Sequence, residues 1–496
     1  MVDTKGERKK SAVNNKIIYF FLTCLLSSCV IFKPNNYLLK SNLELGNIYK
    51  QEITSSQLHD YLSVLASDDY EGRETTFPGQ KKAAEYLKHK LINWEILSPK
   101  DNGEYLQEFK VEVNDFSNVN LIINNDTLAH IEEYYSFGNP YKTKEKNLFT
   151  VDVGFGIVNE YFDSYKNLNV KDRVVILREG IPNNNDFKIS DGNWRKKVET
   201  AKNKGALAVI FSKENYMISD LSLKNHLKYP RMKMHNNLRT KQQIPVFFVD
   251  KEVLNNYATK TISLSTNVKE IKTAENVLGF IPGNSEELIV ISAHYDHIGY
   301  DQGEICNGAD DDGSGTVSLL SIAKAFKKAY NEGNKPERGI LFLMVSGEEK
   351  GLFGSKYYTE NPVFPLKNTV VDLNIDMIGR KDTIQPDNNY IYLIGSDKIS
   401  KQLHIINEQV NKNFINFRLD YSYNSEDDPN KFYYRSDHYN FAKNNIPVIF
   451  YFGGLHEDYH KPTDEVDKID FNKLEKTSRF IFLTAWELAY RKKRIK

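Results

Sequence analysis

Apolar and polar positions alternate in blocks along the second half of the chain. Short runs of apolar residues, typical of buried strands, are followed by polar loops and then by amphipathic stretches with helical spacing. The clearest runs are 288–291, 339–345, 370–375 and 447–452. Strands that alternate with helices in this way predict an α/β fold with a mostly parallel mixed sheet and helices on both faces.

The first half of the chain has a different pattern of apolar and polar residues. Amphipathic helices are predicted at Ser55–Ala66 and Gln80–Leu91, and an alternating strand is predicted at Tyr105–Val113. From about residue 118 to 272, strand-like runs alternate with loops and with one helix at Trp194–Lys204. The segments NVKDRVVILREG, VETAKNKGALAVIFS and IPVFFVD resemble the protease-associated domain that is inserted in several exopeptidase families. That resemblance implies a β-rich α/β insert, which would cover or flank an active site without doing chemistry itself.

The N-terminus has the pattern of a targeting signal. Basic residues precede an apolar run at 17–26, which is shorter than the ~20 residues that a membrane-spanning helix needs. The run ends in Leu26-Ser27-Ser28-Cys29, which resembles the lipobox of bacterial lipoproteins. We therefore expect an exported protein of the periplasm or cell surface, held at the membrane by lipid on Cys29. A plain signal peptide or a short signal anchor is the alternative.

Composition excludes some classes of protein. The chain has 66 basic and 66 acidic residues, so the net charge of zero argues against nucleic-acid binding. Of the three cysteines, Cys24 and Cys29 lie in the N-terminal signal, so no disulfide framework is expected. Cys306 has no cysteine partner nearby and is predicted to be a packed thiol rather than a zinc ligand.

Acidic residues and histidines follow the predicted strands at five successive places. These are His294 with Asp296, then Asp310-Asp311-Asp312, then Glu348-Glu349, then Asp376, and last His456, Asp458, Tyr459 and His460. Open α/β sheets bind their ligands at the carboxyl ends of the strands. We therefore expect these side chains to lie together at one edge of the sheet.

The composition of this set indicates metal binding. Histidine with carboxylate suits zinc or another borderline divalent ion. Two histidines with three or four acids exceed the three protein ligands of one catalytic zinc, but they fit two metals that share a bridging carboxylate. The Glu348-Glu349 pair can supply one ligand and one neighbour free to move a proton.

Five motifs in this order resemble a known family. The motifs HYDH, GADDDGSG, SGEEKGLFGS, NIDMIG and YHKPTDE are similar to those of the di-zinc aminopeptidases, which include secreted bacterial leucine aminopeptidases and aminopeptidase Y. The resemblance covers roughly residues 50–115 and 271–490. It implies two Zn²⁺ per chain, with Co²⁺ or Mn²⁺ possible. His294 and Asp376 would hold one zinc, Glu349 and His460 the other, and Asp311 would bridge them.

The resemblance also implies roles outside the ligand set. Glu348 would be the general base that deprotonates a bridging water, and Asp296 would orient His294. Tyr459 would stabilise the tetrahedral oxyanion. The peptide bond between Asp311 and Asp312 would be cis.

Several neighbouring residues have two readings. Asp310 and Asp312 suit the first turn of a helix as well as a metal site. His297 and His456 are expected beside the ligands or in solvent rather than as ligands. Ser436 begins an SDH run that the family often has near the substrate cleft, but it could equally cap a helix. Arg73 is read first as part of a tight, ion-paired turn, with a functional role as the alternative.

The sequence predicts four parts in the chain. Its divisions are a lipoprotein-type signal (1–29), a tether (30–51), a catalytic domain in two pieces (52–117 and 273–496) and the protease-associated insert between them (118–272). The predicted function is that of an exported zinc-dependent aminopeptidase acting on peptides. A carboxypeptidase of acidic dipeptides is the alternative within the same fold, and it would need an arginine cluster, for which Arg380 and Arg435 are candidates. A non-catalytic, receptor-like scaffold is the other, although a scaffold has no reason to keep Glu348.

Overall fold

The structure is a computed structural model. It describes residues 40–138, 140–183, 187–214, 216, 221–235, 243–258 and 260–495. The helices are α1 (Lys40–Tyr49), α2 (Ser55–Leu65), α3 (Pro78–Asn93), α4 (Trp194–Asn203), α5 (Leu221–Lys228), α6 (Lys251–Asn255), α7 (Gly315–Asn331), α8 (Phe353–Glu360), α9 (Lys401–Val410), α10 (His438–Ala442) and α11 (Phe471–Tyr490). The predicted signal, including Cys29, lies outside the described residues.

The strands form two large sheets and one hairpin. They are β1 (Leu106–Asn114), β2 (Val119–Ile123), β3 (Asp126–Thr127), β4 (Tyr134–Ser136), β5 (Thr143–Asp152), β6 (Val174–Arg178), β7 (Ala208–Lys213), β8 (Arg231–Met234), β9 (Val246–Asp250), β10 (Thr261–Thr266), β11 (Lys269–Ile281), β12 (Leu288–His294), β13 (Gly299–Asp301), β14 (Glu304–Cys306), β15 (Gly339–Val345), β16 (Thr369–Asp376), β17 (Tyr390–Ile394), β18 (Arg418–Asp420) and β19 (Val448–Phe452).

The nine-stranded sheet has the order β18-β17-β19-β16-β12-β15-β11-β1-β8. The neighbours β19, β16, β12 and β15 run parallel at its centre, as do β17 and β18, and the remaining pairs are antiparallel. The predicted α/β class is confirmed. The parallel character is confined mainly to the centre, where both faces of each strand are covered.

Both faces of this sheet carry helices, as the sequence pattern predicts. Along β15, Ile340, Phe342 and Met344 face a core that includes α2, α3, α7 and α11, and the alternate residues face a second core with Tyr358 of α8 and Phe441 of α10. Strand residues point alternately to the two faces of a sheet, so an unbroken apolar run is needed where both faces are buried. This explains why the run at 339–345 coincides with a whole strand.

The eight-stranded sheet has the order β3-β2-β10-β5-β6-β7-β9-β4 and its own core. It lies between residues 119 and 266, inside the predicted insert. One strand of the insert region, β8, instead pairs with β1 at the edge of the nine-stranded sheet. Met232 and Met234 of β8 pack against a core that contains Phe109 and Phe353. The identification of this region as a protease-associated domain, and its boundaries, stay predictions.

The expectation of a tether at 30–51 does not describe residues 40–51. Helix α1 occupies Lys40–Tyr49, and its Leu43 and Tyr49 are buried in the main core, where Tyr49 stacks on Trp486 of α11. Its few apolar residues gave no clear helical period, so the helix depends on packing that a single sequence does not show. Within the described residues, no helix is both long and apolar enough to cross a membrane.

Candidate metal centre

The predicted site residues meet at the carboxyl edge of the nine-stranded sheet. His294 and Asp376 are the last residues of β12 and β16. Glu348 and Glu349 follow β15, and His460 lies in the loop after β19. Asp311 lies in the turn that precedes α7. The four central parallel strands, β19, β16, β12 and β15, all end at this edge, so their terminal side chains converge.

Two groups of possible ligands share Asp311. In the first, Nε2 of His294 lies 3.4 Å from Oδ1 of Asp311 and 3.7 Å from Oδ1 of Asp376. In the second, Nε2 of His460 lies 3.1 Å from Oδ2 of Asp311 and 3.1 Å from Oε2 of Glu349. The two oxygens of Asp311 therefore face the two groups separately. This is the arrangement that a bridging carboxylate requires.

One histidine outside the predicted ligand set also enters the second group. Nδ1 of His297 lies 2.9 Å from Oε1 of Glu349 and 3.8 Å from Oδ2 of Asp311, and the ring is buried. Its atoms, with those of Asp311 and Glu349, lie close enough together to hold an ion. The only sequence signal for this position is the spacing of His294 and His297 just after a strand, which does not show which way the ring turns.

The turn at 309–314 is held by carboxylates that accept hydrogen bonds from main-chain N–H groups. Asp312 accepts hydrogen bonds from the main-chain N–H groups of Gly315 (2.8 Å) and Met377 (3.1 Å), and Asp310 accepts one from Gly379 (2.6 Å). These two aspartates thus fasten the turn to the loop after β16, which neither a first-turn helical role nor a role in a metal site predicted. The Asp311–Asp312 peptide bond is cis, as the resemblance implied.

His294 is oriented by the main chain of Asp296. Its Nδ1 lies 3.0 Å from the carbonyl oxygen of Asp296, whereas the Asp296 carboxylate oxygen is 3.8 Å away. A carbonyl only accepts, so this hydrogen bond requires the proton on Nδ1 and leaves Nε2 for a metal. The Asp296 carboxylate instead accepts a hydrogen bond of 2.7 Å from the Thr75 hydroxyl.

Ser436 contacts the ligand group rather than capping a helix. Its hydroxyl donates to Oδ2 of Asp376 at 2.6 Å and accepts from the Asn374 amide at 2.8 Å. Helix α10 has Asp437 at its N-cap position, without a side-chain capping bond. Ser436 therefore lies beside the cavity of the site, as the first of its two predicted roles requires, and does not cap a helix.

The two adjacent glutamates have opposite electrostatic environments. Burial raises the pKa of Glu348 well above its usual value, and the neighbouring Glu349 carboxylate adds to this although the charge of His294 opposes it. Burial also acts to raise the pKa of Glu349, but its contacts with His297 and His460 outweigh burial and hold that pKa well below the usual value. Glu349 is thus set up as a fixed anion and Glu348 as a group that can exchange a proton.

Tyr459 lies beside the ligand groups with its ring stacked on His460, the ring centres being 3.9 Å apart. Burial and the carboxylates of Asp311 and Glu349 raise the pKa of its phenol, so the hydroxyl keeps its proton and can donate a hydrogen bond. A cavity of about 40 Å³ opens next to it. Apart from the site residues, its wall is formed mainly by Met377, Phe432, Phe450, Phe452 and Leu455, with Arg435 and Ser436.

The two candidate arginines do not form a cluster. Arg435 lines the cavity and lies over the ring of Phe432. Arg380 points its guanidinium to Asp458 at 3.0 Å and to Glu457 at 3.3 Å. Because Arg380 is already paired, the described residues do not provide the double arginine site that recognition of an acidic dipeptide needs.

The side chains of the site are arranged as zinc ligands rather than as hydrogen-bond partners of one another. Nε2 of His460 is within 3.1 Å of two carboxylate oxygens but makes no aligned hydrogen bond, which suits a nitrogen whose lone pair faces a shared cation. Asp311 and Asp376 are at most 7% exposed, and burying carboxylates so close together is costly unless cations neutralise them. Imidazole nitrogen with carboxylate oxygen is a zinc donor set.

The second half of the chain matches a known protein family. Residues 276–485 match peptidase family M28. A probable leucine aminopeptidase of Arthroderma otae is 30% identical over 223 residues, which are 43% of this chain and 58% of the relative. The chain thus spans little more than half the length of the curated relatives it matches.

Two solved structures share the fold. They are an aminopeptidase from Aneurinibacillus sp. strain AM-1 and BSAP, a zinc aminopeptidase from Bacillus subtilis, each with a TM-score of 0.50 and 18% identity. The first match covers 90% of this chain and 97% of that one, and the second covers 89% and 96%. At this identity the likeness shows the fold alone.

Proposed function

We propose, from the premise that residues 276–485 belong to peptidase family M28, that this protein is a zinc-dependent aminopeptidase that removes N-terminal residues from peptides. The observation that carries the proposal is the pair of histidine–carboxylate groups that share Asp311 at one sheet edge. The names of the curated relative and of the two solved structures support the aminopeptidase class.

Five residues would hold two metal ions. His294 and Asp376 would bind one, Glu349 and His460 would bind the other, and Asp311 would bind both through its two oxygens. His297 is 2.9 Å from Glu349 and would keep that carboxylate turned toward His460. Zinc in this donor set supplies Lewis-acid chemistry, which makes water more acidic and polarises a carbonyl group. Cobalt or manganese could occupy the same ligands.

Glu348 would act as general base and then as general acid. Its raised pKa suits a carboxylate that takes a proton from the attacking water and returns it to the departing amine. The hydroxyl of Tyr459, which stays protonated, would donate a hydrogen bond to the negative oxygen that develops on the scissile carbonyl. Asp296 would act through His294, by holding Nδ1 with its carbonyl oxygen.

The cavity supports a preference for apolar N-terminal residues. Apart from Arg435 and the proposed ligands and base, the described residues of its wall carry no charge. A compact apolar side chain can move from water into this cavity without losing a hydrogen bond. The preferred substrates would therefore carry alanine, valine or leucine at the N-terminus rather than lysine.

The setting of the activity rests on the sequence. The basic residues, the short apolar run and Cys29 support export and a lipid anchor at the membrane. The resemblance of residues 118–272 to a protease-associated domain supports an accessory role for that region. Peptides of the periplasm or cell surface would then be the substrates.

A substrate panel tests the proposal. Aminoacyl p-nitroanilides with a free amine would be compared with N-acetylated versions and with dipeptides that carry acidic C-terminal residues, for wild type and Glu348→Ala. We expect cleavage of free-amine substrates only, lost in Glu348→Ala while zinc stays bound. Cleavage from the carboxyl end would favour the carboxypeptidase, and the absence of both cleavage and zinc would favour the scaffold.

A further inference from the structure

Arg73 is a buried arginine, and among the described residues its hydrogen bonds all go to main-chain carbonyl groups. Its Nε donates to Tyr295 (2.7 Å), Nη1 to Leu65 (3.0 Å) and Asn307 (2.6 Å), and Nη2 to Gly308 (2.9 Å). The residue is fully buried. The tight turn that the sequence suggested is present, but the arginine in it is not paired with Glu71.

Three of the four carbonyls that Arg73 holds belong to the segments that carry the proposed ligands. Tyr295 stands between His294 and Asp296, and Asn307-Gly308 leads into the turn that contains Asp311. One guanidinium thus joins the exit of β12 to the approach of α7. The planar fork of arginine can hold several acceptors at fixed angles, which the single nitrogen of lysine cannot.

The residues after Arg73 reach two further parts of the site. The Thr75 hydroxyl donates to the Asp296 carboxylate at 2.7 Å. The Glu74 carboxylate lies 2.9 Å from Nζ of Lys350, the residue that follows Glu349. The segment Glu71–Thr76 therefore contacts the loops that carry His294, Asp311 and Glu349.

The backbone of this segment is held in an uncommon conformation. Glu71, Gly72 and Arg73 have φ values of +51°, +63° and +49°. A Cβ atom on Gly72 would lie 2.3 Å from the carbonyl oxygen of Gly299 and 2.4 Å from that of Cys306. A residue other than glycine costs free energy in the left-handed conformation. Such residues persist where the surrounding structure holds them in place, often at functional sites.

The charge of Arg73 is also placed to act on the site. Its neighbours in electrostatic range include Asp296, Asp311 and Asp464. The Asp464 carboxylate accepts hydrogen bonds from the main-chain N–H groups of Asp310 and Asp311, each at 3.1 Å. A fixed buried cation offsets the mutual repulsion of acids that would otherwise push the loops apart before metal binds.

We propose that Arg73 is a positioning residue of the metal centre, which holds the segments of His294 and Asp311 at the separation that metal binding needs. The inference rests on the proposed function, because it takes zinc to bind at this edge of the sheet. It differs from a purely structural role in one respect. A structural brace stabilises the empty and the loaded protein equally, whereas a positioning residue changes the affinity for the metal.

Arg338 is a matched control. It is also buried, donates to the carbonyl groups of Leu488 and Arg491, and pairs with Glu287 at 2.8 Å. It precedes Gly339 at the amino end of β15, the opposite edge of the sheet from the site. Its replacement by lysine removes a comparable set of carbonyl contacts far from the proposed ligands.

The experiment compares Arg73→Lys and Arg338→Lys in the intact chain. The zinc dissociation constant is measured by competition with a chromophoric chelator, and the Tm of the metal-free protein is measured in parallel. We expect both variants to lower the Tm, and only Arg73→Lys to raise the zinc dissociation constant, by about tenfold or more. An unchanged zinc dissociation constant in a folded Arg73→Lys would overturn the inference while leaving the proposed function intact.

Arg73→Gln is the second variant if Arg73→Lys does not fold. The glutamine amide can still donate to a main-chain carbonyl but lacks the charge and the planar fork of arginine, so we expect zinc to bind more weakly than in wild type and in Arg338→Lys. Equal affinity in all three proteins would overturn the inference. A wild-type protein that binds no zinc would instead defeat the proposed function, and the inference with it.

Discussion

Each large sheet has a group of neighbouring parallel strands whose carboxyl ends meet at one edge, and the two edges differ in how they accommodate charge. At the edge of the nine-stranded sheet, Asp296, Asp311 and Asp376 are at most 7% exposed. At the edge of the eight-stranded sheet, β5 ends in Asp152 and β6 in Arg178, and both are exposed to solvent. Parallel strands create an edge in both sheets, but only one edge buries its acids.

The larger opening lies at the edge without buried acids. A cleft of about 880 Å³ runs past Asp152, Phe155 and Arg178, whereas the cavity beside the proposed ligands measures about 40 Å³. Charges around the large cleft pair with each other near the surface, as Lys251 does with Glu214 at 2.6 Å. Buried acids without enough cations, rather than cavity size, therefore distinguish the proposed metal centre from the larger cleft.

Replacement of the shared aspartate should separate the two edges most strongly. Asp311→Ala removes the one carboxylate that faces both ligand groups, so we expect loss of bound zinc and a fall of peptide hydrolysis to the background rate. Asp152→Ala removes an exposed acid at the other edge and should change neither. Zinc content and hydrolysis of leucine p-nitroanilide measure the contrast. Retention of full zinc content and activity in Asp311→Ala would contradict the proposed difference between the two edges.

Replacement of the proposed base should separate chemistry from metal binding at the first edge. In Glu348→Gln the amide cannot take a proton, so we expect kcat to fall about 10²–10⁴-fold with zinc content unchanged. Glu349→Gln is the matched change, and it should lower zinc content because its target is a proposed ligand. If Glu348→Gln kept wild-type kcat, the base would have to be another residue.

The pH dependence of stability should also differ between the edges. Burial raises the pKa of Asp437 from 3.8 to about 7, with Asp296 and Asp376 adding to the rise and His294 opposing it. Because the folded pKa is raised, the stability that protonated Asp437 contributes is complete below pH 3.8 and is lost as the pH rises to about 7. We expect the Tm of metal-free wild type to fall relative to Asp437→Asn across this window.

Asp152→Asn is the control for that measurement, because it makes the same chemical change at an exposed position of the other edge. The difference in Tm between wild type and Asp152→Asn should not vary between pH 4 and 7, within the small range expected of surface changes. Parallel Tm curves for wild type and Asp437→Asn would contradict the predicted contribution of Asp437.

Substitution in the large cleft should have the smallest effect. Arg178 is exposed and lies over the ring of Phe155, remote from the proposed ligands along the chain and in the other sheet. We expect Arg178→Ala to leave kcat/KM for a p-nitroanilide within about twofold of wild type, as for most surface changes. A tenfold loss on this small substrate would make the second edge part of the active site.

Many of the candidate site residues could be located from the sequence because they follow local hydrophobic patterns. Apolar runs located the strands, and the strand ends located His294 and Asp376. For the turn residues Asp310 and Asp312 the sequence predicts either the first turn of a helix or a metal site, because nothing local shows that their carboxylates reach the loop after β16. The same applies to His297, whose ring orientation depends on Glu349, a residue 52 positions away.

Longer-range features escaped prediction for a similar reason. Arg73 donates to carbonyl groups up to 235 positions away, and main-chain acceptors leave no trace in residue identity. Strand β8 joins the nine-stranded sheet although the chain around it belongs to the insert region. Its short, alternating pattern does not say which sheet it will join, since β-strand preference depends on the neighbours that a strand finds.

The most direct measurement is anomalous X-ray diffraction at the zinc absorption edge from crystals of the zinc-loaded protein. We predict two peaks at the carboxyl edge of the nine-stranded sheet, one beside His294 and Asp376 and one beside Glu349 and His460, with Asp311 touching both. Fewer than two peaks there, or peaks only at another place in the molecule, would contradict the two-metal centre.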